Sequence, residues 1–232
     1  MQFLMEQLCR LIPLFIFVMI ISQFWSGTIN SLLNMWMPLL LAVALTTAHF
    51  GARTLYTSVR FRVPPAKLVT VMWPAMVLGL TTSSTCASFP KMISGLTDGL
   101  GVDEDQTSFG VPLGMILCKP SVIIMLVVLM LHCMQTYGLG ADITWYVRMA
   151  LICFLYSMVA PPVPGGMVVC IGLLFAKLGI PAEAIAMATA FNIIIDYVLT
   201  AYKSGNIMLE VFDTACVLGN VDRNKIDSVD RG

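Results

Sequence analysis

Hydrophobic residues run along this chain in long blocks, and the polar residues, glycines and prolines that interrupt them mark out its elements. Residues 3–26 form a first apolar block carrying Pro13; Gly27 to Asn30 break it, and a second helix is predicted over 30–58. From Leu11 to Ala52 there is no Asp, Glu, Lys or Arg, room enough for two membrane spans of ~20 residues each. A third block, Leu68 to Pro90, begins with thirteen mostly apolar residues and then turns polar at Thr81-Thr82-Ser83-Ser84-Thr85-Cys86-Ala87-Ser88. A helical arm of that length covers roughly 20 Å, short of the ~30 Å hydrocarbon core. The chain is therefore predicted to enter and turn back as a re-entrant hairpin over 64–97. The next helix, over 106–135, is interrupted at Cys118-Lys119-Pro120-Ser121. Its proline removes a donor and frees a carbonyl, which is tolerated at membrane depth only where protein or a polar cavity satisfies it. Two short apolar arms around Ala160-Pro161-Pro162-Val163-Pro164-Gly165-Gly166 predict a second hairpin over 145–178, and a last helix over 182–212 precedes a charged tail.

These elements give an all-α polytopic membrane protein with four transmembrane helices and two re-entrant helical hairpins. Residues 1–60 hold two N-terminal helices, and residues 61–232 hold the core and the tail. A unit of hairpin followed by an interrupted or polar span occurs at 68–135 and again at 149–209, inserted from opposite faces. Inverted repeats with broken segments at matching positions are the sequence signature of alternating-access carriers. Arg53, Arg60, Arg62 and Lys67, with no acidic residue among them, place the loop before the first hairpin in the cytoplasm, and parity then puts both termini there. Glu6 and Arg10 precede the first block and no small-residue cleavage site follows Trp25, which predicts a retained span rather than a signal peptide.

Composition narrows the class. The chain is 58% hydrophobic and 11% charged, about half the charged share of a soluble domain, so the lipid bilayer is its expected surroundings. The 13 basic and 13 acidic residues cancel, which removes nucleic acid as a partner. Seven cysteines lie mostly in apolar runs without CxxC or Cys/His spacing and read as packing residues, not a zinc site or a disulfide framework.

Chemistry concentrates on the last helix. Asn192, Asp196, Thr200, Lys203 and Glu210 follow one another at four, four, three and seven residues, which puts them on one narrow stripe. Ionisable groups at the centre of a membrane cost roughly 2.5–3.5 kcal/mol each on insertion scales and are retained mainly where they face a polar interior. Asp196, Lys203 and Lys119 can serve there as ligand or ion contacts, or simply neutralise one another. At the hairpin tips, the backbone N–H groups that open a half-helix, with the hydroxyls of Ser83, Ser84 and Thr85, suit an anionic group; the plainer reading is a polar loop that packs. His49 and His132 lie near span ends and receive no role. No covalent chemistry is expected: a hydrolase using Ser84 with Lys119 has nothing behind it but shared depth.

The residues that carry these features resemble the C-terminal half of the dicarboxylate/amino acid:cation symporters, the glutamate transporter family. Ser83-Ser84-Thr85-Cys86-Ala87-Ser88-Phe89-Pro90 is similar to the serine-rich tip of its first hairpin. Ser108-Phe109-Gly110-Val111-Pro112-Leu113-Gly114 is similar to the entry into its seventh helix, and Val163-Pro164-Gly165-Gly166 to its second tip. The resemblance implies that residues 1–28 and 29–60 are the fifth and sixth helices, with the family's first four missing. It implies a secondary transporter, not an enzyme, that moves a small organic anion, a dicarboxylate or an acidic amino acid, across a plasma or bacterial inner membrane. Substrate contacts fall on Ser83, Ser84, Thr85, Val163, Pro164, Gly165, Thr200, Lys203 and Asn206. Ion coupling or charge balance falls on Lys119, Ser121, Asn192 and Asp196, with Asp196 matching a sodium ligand; no cofactor is implied beyond sodium or a proton as coupling ion. The family's Asn-Met-Asp-Gly-Thr motif corresponds to Cys118-Lys119-Pro120-Ser121-Val122, so Lys119 is a candidate substitute for one cation. Thr200 stands where amino-acid carriers have an aspartate for the substrate amine, which favours a dicarboxylate, and Lys203 replaces an arginine, keeping the charge but losing the bidentate fork. The missing helices imply a companion chain that supplies them, or a transport-inactive truncated or regulatory subunit; the family's homotrimer is the implied assembly.

Overall fold

A computed structural model of the chain describes residues 36–138, 142–159, 166–180, 184–223 and 225. Eight α-helices fill these residues: α1 (Trp36–Phe61), α2 (Pro65–Thr82), α3 (Thr85–Ser94), α4 (Glu104–Leu117), α5 (Pro120–Thr136), α6 (Ile143–Val159), α7 (Gly166–Leu178) and α8 (Ala184–Leu218). Among the described residues there is no strand, only a single bridge between Val102 and Val221 that ties the loop after the first hairpin to the end of α8. The helix expected over 3–26 and the tip residues Val163, Pro164 and Gly165 lie outside the described residues.

Local sequence accounts for the helix ends. Pro65 occupies the first position of α2, where its missing N–H costs nothing. At the other end Ser83 adopts a left-handed conformation (φ 50°) and its N–H donates to the Gly79 carbonyl at 2.9 Å, closing the helix. Ser84 then caps α3, its hydroxyl accepting from the Ala87 N–H at 3.3 Å. Asp103 caps α4 by accepting from the N–H groups of Asp105 and Gln106. α4 stops at Cys118-Lys119 because the residue before a proline is driven out of the helical region, and Pro120 opens α5.

Two expectations change. The first arm of the first hairpin is longer than thirteen residues: Thr81 and Thr82 belong to α2, their hydroxyls donating to the carbonyls of Val77 and Leu78 one turn back. A hydroxyl that bonds its own helix adds no unsatisfied group, so the polar run begins without ending the helix. Of the four basic residues read as a loop, Arg53 and Arg60 lie inside α1 and Lys67 inside α2, because α1 continues about two and a half turns past Ala52.

Packing divides the interior into two apolar cores. One joins α5, α6, α7 and the first half of α8 through Leu126, Leu129, Ile171, Leu174, Phe175, Phe191 and Ile195. The other joins α2, α3, α4 and the second half of α8 through Leu68, Met72, Met92, Leu96, Val111, Met208 and Phe212. α8, 35 residues long, threads both. Apolar side chains also cover the outside: Leu40, Leu41, Leu55 and Val59 on α1, and Ile143, Val147, Leu151 and Leu155 on α6 are exposed, faces suited to lipid. By length and composition, Trp36–Phe61 and the broken pair Glu104–Thr136 can cross a membrane.

Candidate functional site

The two cores meet near Thr200, and there the buried side chains are polar. Ser83, Ser84, Thr85 and Ser88 come from the first hairpin, Lys119 and Ser121 from the break between α4 and α5, and Asn192, Thr200, Lys203 and Ser204 from α8; all are buried. α2 and α8 approach closely at this level. A Cβ built on Gly79 would stand 3.0 Å from the Thr200 carbonyl oxygen and 3.1 Å from the Ser204 hydroxyl, so only glycine brings the hairpin tip down onto α8.

The clearest bond across the seam joins the tip to the long helix: the Ser83 hydroxyl donates to the Asp196 carboxylate at 2.5 Å. Ser84 is occupied as the cap of α3, and the Ser88 hydroxyl donates back to the Ser84 carbonyl at 3.4 Å. The Ser204 hydroxyl donates to the Thr200 carbonyl at 3.0 Å. Other groups are enclosed and, among the described residues, have no hydrogen-bond partner: the hydroxyls of Thr85, Ser121 and Thr200 and both polar atoms of the Asn192 amide. Each such atom costs about 1–3 kcal/mol if nothing bonds it. Such enclosed groups mark places where water, an ion or a ligand supplies the missing bonds.

A cavity of about 570 Å³ opens beside the break, lined by His49, Arg53, Lys119, Asn206, Glu210 and Thr214 together with Phe109, Leu113, Leu117 and Ile123. That volume suits a small ligand. Lys119 and Asn206 reach this groove, whereas Ser83, Thr85, Thr200 and Lys203 lie in the closed seam. Asn206 donates to the Tyr202 carbonyl of its own helix at 2.9 Å. Glu210, the last member of the α8 stripe, leaves the seam: with Asp213 it pairs with Arg53 of α1, at 2.7 and 3.0 Å, and Asp213 also accepts from Thr57 at 2.8 Å.

Sequence reasoning missed this Arg53 network, and it also missed Ser88, Ser204 and Gly79. Ser88 lies one turn beyond Ser84 and Ser204 directly follows Lys203, so helical spacing held a signal for both; the network and the Gly79 contact depend on distant segments and left none.

The family model described as "Sodium:dicarboxylate symporter family" matches residues 1–215. Over 159 residues the chain is 24% identical to "Excitatory amino acid transporter 2" of Mus musculus and of Rattus norvegicus, and equally to that of Homo sapiens. Each match takes in 68% of this chain and 27% of the relative, so the chain spans about a quarter of the length of the curated relatives it matches.

Proposed function

Because the chain belongs to the sodium:dicarboxylate symporter family, we propose that it is a membrane carrier for a small organic dianion, with its binding site at the seam between the two cores. The observation that carries this reading is the set of enclosed, unbonded polar atoms of Thr85, Ser121, Asn192 and Thr200, with Lys203 buried on the α8 face that also carries Asn192 and Thr200. A dicarboxylate supplies acceptors for hydroxyl and amide donors, and its charge offsets a buried ammonium.

In this reading the tip of the first hairpin receives one carboxylate through the hydroxyls of Ser84 and Thr85, with Ser83, whose hydroxyl stays on Asp196, lining it; Val163, Pro164 and Gly165 of the second tip are proposed to share that carboxylate. Lys203 receives the distal carboxylate as a point charge and Thr200 lines the space between. Asp196 holds the tip through Ser83 and balances part of the lysine charge. Ser121 and Asn192 complete the polar wall, and Asn206 with Lys119 stands at the groove that leads to it. A dicarboxylate fits this set better than an acidic amino acid because Thr200 cannot neutralise a substrate ammonium. Relatives named as excitatory amino acid transporters keep acidic amino acids in the test panel. The substrate is moved without covalent change, so the site needs binding and release and no nucleophile.

The test is ligand-induced thermal stabilisation of the purified chain with succinate, malate, aspartate and glutamate, beside Lys203→Ala. Stabilisation by a dicarboxylate that disappears in Lys203→Ala is expected. Stabilisation unchanged in the variant, or absent with all four compounds, removes the seam as the binding site.

A further inference from the structure

The groove beside the break between α4 and α5 has features that the seam does not use. Phe109, Leu113 and Leu117 line it and are also exposed on the outside of α4; at four-residue spacing they form one stripe. Along that stripe the groove is open sideways to the same surroundings that the apolar faces of α1 and α6 suit, which are lipid. Its volume of about 570 Å³ fits a slender chain. A helix, about 10–12 Å across, would exceed that volume within two turns.

One end of the groove is polar and carries both signs of charge. Gln106 from the first turn of α4, Arg53 of α1, and Glu210 and Thr214 of α8 line it. The Asp103 N–H donates to the Asn220 carbonyl at 3.0 Å and the Asp222 N–H to the Gly101 carbonyl at 2.8 Å, which holds the start of α4 level with the end of α8. Arg53 precedes the last residue of α1, Phe61, by eight positions, and Glu210 precedes the last residue of α8, Leu218, by eight, about 12 Å of helix in each case. In a bilayer with a hydrocarbon core of ~30 Å and a full thickness of ~40–45 Å, these side chains stand near the edge of the core, where long polar side chains reach the headgroups.

The bonds already made define what this end still lacks. Arg53 gives both of its hydrogen bonds from Nη2, to Glu210 at 2.7 Å and Asp213 at 3.0 Å, so among the described residues its Nε and Nη1 hydrogens have no acceptor. One guanidinium against two carboxylates leaves the cluster net negative. Asp213 also accepts from Thr57, whereas Glu210 is half-exposed and lines the groove. A ligand that suits this end brings an anionic oxygen group to Arg53 and a cation with N–H donors to Glu210.

We propose that the groove is a binding site for a phospholipid whose headgroup carries a primary ammonium beside its phosphate, an ethanolamine-type lipid. The phosphate meets Arg53, the ammonium meets Glu210, and one acyl chain lies along Phe109, Leu113 and Leu117. The site goes beyond the carrier reading and does not depend on it. A headgroup of net negative charge is repelled by the cluster, and a quaternary ammonium has no N–H to give to Glu210.

Native mass spectrometry of the full chain in detergent, titrated with phosphatidylethanolamine, phosphatidylcholine and phosphatidylglycerol of the same acyl chains, tests this. The ethanolamine lipid is expected to bind about tenfold more tightly than either of the others, the worth of one charge-assisted hydrogen bond. Glu210→Gln, which keeps the side-chain size, is expected to bring the ethanolamine lipid within about twofold of the choline lipid. Leu113→Trp, which fills the groove, is expected to weaken the ethanolamine lipid as well. If either variant does not fold, the ranking of the three lipids on the unmodified chain decides alone. Equal affinity for all three, tightest binding of phosphatidylglycerol, or an ethanolamine preference that survives Glu210→Gln overturns the inference, as does a second polypeptide recovered in place of lipid. Each of these results leaves dianion binding at the seam untouched, so the two readings fail separately.

Discussion

Replacing Asp196 with asparagine separates two roles that a carboxylate at this position can play. The substitution keeps the side-chain volume and an oxygen that can accept from Ser83, but it deletes the negative charge. Asp196 and Lys203 are seven residues apart on α8, about 10 Å of helical rise. The distal charge of a dianion held between the tip and Lys203 lies about that far from the Asp196 carboxylate, and the proximal charge lies nearer because the tip is bonded to Asp196, so the distal charge alone sets a lower bound. At an effective dielectric of ~20, two unit charges ~10 Å apart repel by about 1.7 kcal/mol. Removing that repulsion should tighten dianion binding by at least about tenfold. The same change turns the charge-assisted Ser83 bond into a neutral one, at a cost in stability of about 1 kcal/mol. Asp196→Asn should therefore melt earlier and bind succinate more tightly, with titration calorimetry and a thermal melt reading the two effects separately. A tenfold or greater loss of succinate affinity would refute the reasoning, because it would mean that the carboxylate attracts a cation on which binding depends.

Other substitutions test other parts of the structure. Lys203→Met, which removes the ammonium from the closed seam, should abolish measurable dicarboxylate binding, and Lys203→Arg should restore part of it; equal affinity in all three proteins would remove Lys203 from the site. Gly79→Ala forces a methyl group against the Thr200 carbonyl and should destabilise by about 1–3 kcal/mol, seen in denaturant or thermal melts; an unchanged melt would show that α2 and α8 are not in that contact. Arg53→Met should cost about 1–2 kcal/mol, carried mainly by the part-buried Asp213, since half-exposed Glu210 contributes little. A double-mutant cycle with Asp213→Asn that shows no coupling would contradict the pairing.

The helical fold could be read from the chain because apolar blocks and their breakers are local. Pro120 announced the break after Cys118-Lys119, and the serines at 83 and 84 announced a turn. What could not be read depends on which groups satisfy one another. Thr81 and Thr82 looked like the end of an arm, yet their hydroxyls bond back to their own helix. Arg53 counts with the basic loop although it falls within the helix predicted over 30–58, and its partners lie 157 and 160 positions away. The spacing on α8 showed that Asn192, Asp196, Thr200 and Lys203 share a face, but not that this face sits where two apolar cores meet. Nor did it show that Glu210, on the same stripe, would turn toward Arg53. Pairing across such distances leaves no periodic trace in the sequence.

Uptake into sealed vesicles tests the central claim most directly. Proteoliposomes containing the chain should accumulate radiolabelled succinate above protein-free vesicles, and those containing Lys203→Ala should not. Accumulation at the protein-free level for succinate, malate, aspartate and glutamate alike would contradict the account of this chain as a carrier.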